Sequence, residues 1–170
     1  DFANRTVRGS VEHTLQFSQA GVNQLILDTR DLTIQNVQVA GSDQHWKNTK
    51  WKLDEAQSIL GSALTIDLPA GSNRVKVNYS SAPTASGLQW LTPAMTEGKQ
   101  HPFMFTQSQA IHARSWIPLQ DTPYVRAPYS AVVHTDKALR AVMSADNNPQ
   151  APLDGVFEFT MPQAIPSYLL

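Results

Sequence analysis

The sequence predicts an all-β domain, and three observations carry that prediction. Apolar residues recur at every second position through most of the chain, the period at which a strand turns one face to a core. These runs are short and are separated by turn-forming clusters such as SQAGVN, PAGSN and ADNNPQAPLDG. No strongly amphipathic segment reaches the length of about 12 residues at which a helix begins to hold its own. Several hairpins folded into two or more packed, sandwich-like sheets are therefore expected.

Taken in order, residues 5–17 alternate cleanly. Val7, Val11, Leu15 and Phe17 share a face with Gly9 and His13, while Thr6, Arg8, Ser10, Glu12, Thr14 and Gln16 take the other. His13 on the apolar face reads as a hydrogen-bonded core histidine. A short strand follows at 24–28. Leu32, Ile34, Val37 and Val39 make another, whose alternation slips by one between Ile34 and Val37 as a bulge would cause. Trp46, Trp51 and Leu53 lie among lysines, which suits a solvated hairpin or an edge strand. Leu64, Ile66 and Leu68, then PAGSN, then Val75, Val77 and Tyr79 give the clearest strand–turn–strand signal. Residues 80–86 and 92–101 read as loops. Strands are expected at 129–134, 138–145 and 156–161, and residues 165–170 form a final apolar run.

A chain of 170 residues with 41% hydrophobic content and a formal net charge of -1 fits one soluble globular domain with a sizeable core. It carries neither a basic footprint for nucleic acid nor an apolar run of the roughly 20 residues that cross a bilayer. No signal-peptide pattern is present, and a chain that starts at Asp1 leaves a removed leader open. The absence of cysteine rules out disulfides and thiolate metal sites. It does not decide the compartment, for which the cytoplasm is favoured over the periplasm.

The most informative stretch is 107–123, QSQAIHARSWIPLQDTP. In an extended segment Gln107 and Gln109 leave on one face, an arrangement suited to the rim of a polar cleft. The same pattern also describes an ordinary strand with a solvated face. Phosphate-loop glycine patterns are missing, as is the G-x-S-x-G elbow of serine hydrolases. His45, His101, His112 and His134 lack close metal-ligand spacing.

GLQWLTP at 87–93, GKQHPFMFTQSQAIHAR at 98–114 and the QDTP turn closely resemble the N-terminal domain of the leukotriene-A hydrolase branch of zinc aminopeptidases, relatives of aminopeptidase N. The likeness extends to LILDTRDLTI at 25–34 and IPSYLL at 165–170, so it covers nearly the whole chain. It implies a saddle-shaped β-structure whose concave side rests on a catalytic domain of the same polypeptide. It further implies that residues 1–170 are a single non-catalytic domain of a larger enzyme, with a further strand before Asp1 and chain continuing past Leu170. Such cut ends would leave apolar surface free for self-association.

The family's zinc site needs H-E-x-x-H on a helix, and none of the five histidines here begins that motif. Zinc and hydrolysis are thus expected of the catalytic domain, with no catalytic residue, metal or cofactor in this chain. What the resemblance carries over is substrate positioning. Gln109 matches the residue that helps hold the free α-amino group of a peptide, Ala110 a neighbour whose backbone lines the same pocket, and Gln107 a candidate for its wall. Arg114, Trp116, Gln120 and Asp121 are expected to support the segment. The alternative is a free-standing β-sandwich module that binds a peptide or a carbohydrate.

Overall fold

The computed structural model describes residues 1–170, and its architecture is all-β, in several antiparallel sheets with none closed into a barrel. A four-stranded sheet has the order β1-β7-β3-β4, from β1 (Arg8–Thr14), β3 (Thr33–Ala40), β4 (Lys47–Asn48) and β7 (Arg74–Ser80). A three-stranded sheet has the order β2-β6-β5, from β2 (Gln24–Thr29), β5 (Trp51–Leu53) and β6 (Ser62–Asp67). Two hairpins complete the fold, β8 (Leu88–Leu91) with β9 (Phe103–Thr106) and β10 (Arg126–His134) with β11 (Val156–Pro166).

The main core lies between the two larger sheets. Val37, Val39, Val75 and Val77 from one meet Leu27, Leu64 and Ile66 from the other, all essentially sealed from solvent. Strict alternation in β6 and β7 is what aims these side chains inward while Thr65, Lys76 and Asn78 stay nearer water. The chain reaches this packing by changing sheets between β1 and β2, β2 and β3, β4 and β5, and β6 and β7.

That last crossing corrects one expectation. The segments around PAGSN are strands, but they do not pair with each other: β6 pairs with β2 and β5, and β7 with β1 and β3. They face each other across the core instead, each with both of its edges already paired to other strands. The bulge expected in β3 is present as a register shift between Ile34 and Asn36. The lysine-rich stretch is divided into two edge strands of different sheets, and Trp46 lies beneath the cations of Arg74 and Lys76, 5.1 and 4.1 Å from its ring centroid.

One further expectation fails. Residues 138–145 form no strand, since the Asn147 amide donates to the carbonyls of Met143 and Ala145 and its oxygen takes the Met143 N–H, satisfying locally what a strand would pair. Asp1 and Phe2 belong to a turn closed by backbone bonding between Asp1 and Thr6, with Phe2 edge-on to Trp90 at 5.3 Å. The apolar run at 165–170 finishes β11 and enters a 3-10 turn, Ser167–Leu169, and Leu170 is half-buried against the small cluster of Ala85, Leu88 and Trp116.

Candidate functional site

The strand expected through Gln107 and Gln109 stops at Thr106. One more ladder bond, from the Gln107 N–H to the Gly87 carbonyl at 2.9 Å, carries the alternation to Gln107. The next residue, Ser108, is buried, and the chain then turns back on itself with the His112 N–H donating to the Ser108 carbonyl at 2.9 Å. A 3-10 turn, Ala113–Ser115, follows. The Ser108 hydroxyl anchors this turn from inside, accepting from the Trp116 indole N–H at 3.1 Å and donating to the Leu170 carbonyl at 3.3 Å.

Gln107, Gln109 and Ala110 are all exposed, brought together at the crown of this loop. The Gln107 side-chain oxygen accepts from the Gln109 backbone N–H at 3.3 Å, which directs Gln107 over the loop. The Gln109–Ala110 peptide bond is cis. No group of the chain bonds to the Gln109 side-chain amide, which keeps one acceptor and two donors for a ligand.

Below the crown the loop is fixed from every side. Gly87 packs so closely beneath it that a Cβ there would lie 2.5 Å from the His112 carbonyl oxygen. Arg114 is buried and spends its donors on Asp121 and on the Leu60 carbonyl at 2.8 Å, with Asp28 at 3.3 Å. Trp116 and Asp121 are buried as structural supports, whereas Gln120 is exposed. His112 is half-buried beside the turn; its Nδ1 accepts from the Ser86 hydroxyl at 2.8 Å and lies 3.3 Å from Arg30 Nη1. A guanidinium can only donate, so the His112 ring proton sits on Nε2. The pair has no carboxylate to orient it and forms no hydrolytic triad.

Sequence reasoning missed Ser108, whose burial between two exposed glutamines is what anchors the crown. The signal was its place between two outward-facing glutamines, which a small polar residue conceals. Two clefts of about 320 and 440 Å³ lie along the β8–β9 hairpin and do not include Gln109. No three His, Asp or Glu side chains converge, so the residues present do not fit a zinc ion. No helix is long and apolar enough to cross a membrane.

The site thus consists of two glutamine side chains on a braced loop of a multi-sheet β-domain. Residues 1–169 match the family model of the peptidase M1 N-terminal domain, and the chain belongs to that family. It is 38% identical to leukotriene A-4 hydrolase of Xenopus laevis over the whole chain and 29% of that protein. It is also 38% identical to leucine aminopeptidase 2 of Yarrowia lipolytica over 99% of the chain and 25% of the relative. Native leukotriene A4 hydrolase of Saccharomyces cerevisiae superposes with a TM-score of 0.84 at 26% identity, over 99% of this chain and 26% of that one. The chain thus spans between a quarter and a third of the length of these relatives.

Proposed function

We propose that this domain lends Gln109 to the amino-terminal subsite of a zinc aminopeptidase whose catalytic domain follows in the same polypeptide. The carrying observation is an exposed Gln109 side chain on a loop whose flanks, Ser108 and Ala113–Trp116, are buried and hydrogen-bonded. A peptide's ammonium needs oxygen acceptors near the metal, and a glutamine amide accepts through its oxygen while its NH₂ donates elsewhere. Ala110 lends backbone to the same pocket and Gln107 its wall. The names of the relatives, a leukotriene hydrolase and a leucine aminopeptidase, support a parent enzyme that hydrolyses peptides.

A hydrogen bond to a charged group contributes roughly 1.5–3 kcal/mol. Gln109→Ala in the full-length enzyme is therefore expected to lower kcat/KM by about one to two powers of ten with zinc content and folding unchanged. Full kcat/KM in that variant would overturn the assignment.

A further inference from the structure

We propose that Arg30 is a positioning residue for the amino-terminal subsite: its guanidinium holds the ring of His112 at the far end of the 108–112 turn, and thereby sets where Gln109 stands. The inference rests on the reading that Gln109 meets a peptide's ammonium.

Arg30 directly follows β2, and its half-buried side chain reaches three separate loops. Nη1 donates to Ser86 Oγ at 3.1 Å and to His112 Nδ1 at 3.3 Å, and Nη2 donates to the Ile59 carbonyl. The Ser86 hydroxyl donates to the same His112 nitrogen at 2.8 Å. The backbone of Arg30 adds a further tie, its N–H donating to the Arg114 carbonyl at 2.8 Å, two residues past His112. A planar guanidinium offers its donors in a fixed fork, so it sets directions as well as distances among the groups it joins.

Arg30 differs in this from Arg114, which is neutralised by Asp121. It takes part in no ion pair of the chain, and its Nε is buried without a partner. A desolvated donor left unpaired opposes folding and offsets what the other bonds contribute. The distinct contribution of Arg30 is the relative placement of the loops of Ile59, Ser86 and His112.

The turn that carries Gln109 is fixed at two ends. Ser108 is held at one by Trp116 and the Leu170 carbonyl. At the other, the His112 N–H donates to the Ser108 carbonyl at 2.9 Å and the His112 carbonyl accepts from Ser115 Oγ at 2.7 Å. The His112 ring is bonded only to Ser86 and Arg30. Gln109 adds no anchor, since its side-chain amide is bonded to no group of the chain. Where its oxygen stands is therefore decided by the two ends of the turn. Hydrogen bonds weaken steeply with angle, and a misplacement of about 1 Å can cost about a hundredfold.

The test compares two ligands of the full-length enzyme by titration calorimetry: L-leucine hydroxamate, and its analogue without the amino group. Both offer a hydroxamate to the zinc, but only the first carries an ammonium for Gln109. Arg30→Met, which keeps an apolar stem and removes every donor, is expected to weaken the amine-bearing ligand about tenfold and to leave the other unchanged. In a Gln109→Ala background it should add no further loss, because it acts through that side chain. Ser86→Ala cuts the second bond to the His112 ring and is expected to show the same selectivity to a smaller extent, which serves where Arg30→Met does not fold. Equal weakening of both ligands, or of neither, would overturn the proposal. Gln109→Ala alone separates it from the subsite reading. If that variant binds the amine-bearing ligand normally, the subsite reading fails and this inference with it. If that variant is selectively weakened and Arg30→Met is not, only the role of Arg30 fails.

Discussion

The guanidinium of Arg114 meets the carboxylate of Asp121 inside the domain, with Nε 3.1 Å from Oδ2 and both side chains almost wholly out of solvent, at 5% and 0% exposure. The contact is more than one ion pair. Asp121 Oδ2 also accepts the Arg114 backbone N–H, its Oδ1 accepts the Ser167 hydroxyl at 2.6 Å, and its own N–H donates to Asp28 Oδ2 at 2.8 Å. Three distant segments, β2, the 113–121 loop and the 3-10 turn after β11, are thereby joined under the loop that carries Gln109.

Removing one partner of such a pair leaves the other charge buried without compensation, which typically costs about 3–5 kcal/mol. Asp121→Ala is expected to destabilise the domain by about that much, and Asp121→Asn by less, since the amide keeps an acceptor for Arg114 or Ser167. Urea unfolding checks both. A midpoint for Asp121→Ala within error of the unsubstituted protein would mean that the network contributes nothing net.

Ser108→Ala acts closer to the crown. It strips the buried Trp116 indole N–H of its acceptor and the Leu170 carbonyl of one donor. An unsatisfied buried donor costs about 1–3 kcal/mol. The expected signature is local as well as global: amides of the 109–112 turn should exchange faster than those of β6 and β7, in hydrogen-exchange mass spectrometry. Uniform exchange across the domain would show that Ser108 does not anchor this loop in particular.

How much was legible follows from which physical signal each feature uses. Alternation reports burial, so the strands carrying Val11, Ile34, Val37, Ile66 and Val77 and the slip in β3 were readable from residue order alone. Pairing is set by which edges meet, and alternation does not encode it; PAGSN looks like a hairpin turn but bridges two sheets. Residues 138–145 looked like a strand because Leu139, Ala141 and Met143 alternate, and local bonding from Asn147 outcompeted the ladder. At the site, the exposure of Gln107 and Gln109 followed from the pattern, while the turn between Ser108 and His112 depends on Trp116, eight residues from Ser108 in sequence, and on Gly87 beneath.

Gly87 tests that closeness directly. It is buried, its N–H donates to Ser115 Oγ at 2.8 Å, and a Cβ would stand 2.5 Å from the His112 carbonyl and 2.9 Å from both Ser115 Oγ and Trp116 Cδ1. The carbonyl is backbone and cannot step aside alone. Gly87→Ala is therefore expected to lift the whole 108–116 loop and cost about 1–3 kcal/mol, the range for an overpacked site. The melting temperature should fall by several degrees, and an unchanged value would show that the loop yields freely.

His13 gives the domain a pH dependence. It sits on the inner side of β1 with Nε2 3.0 Å from the Pro118 carbonyl, so the neutral ring carries its proton on Nε2 and donates it across to the segment that follows Trp116. Burial lowers its pKa below the ordinary 6.5, and the bond to Pro118 offsets this only in part. The unfolded chain then binds a proton at a higher pH than the folded one does. Stability from this residue is complete above pH 6.5, declines as pH falls below that value, and stops declining once the folded ring is itself protonated. Some of the ring stays in contact with solvent, so the slope is expected to be shallow. Urea midpoints at pH 7.5 and 5.0 should differ less in His13→Gln than in the unsubstituted protein, because glutamine can donate to Pro118 but does not titrate. An identical difference in the two proteins would assign the acid sensitivity to other groups.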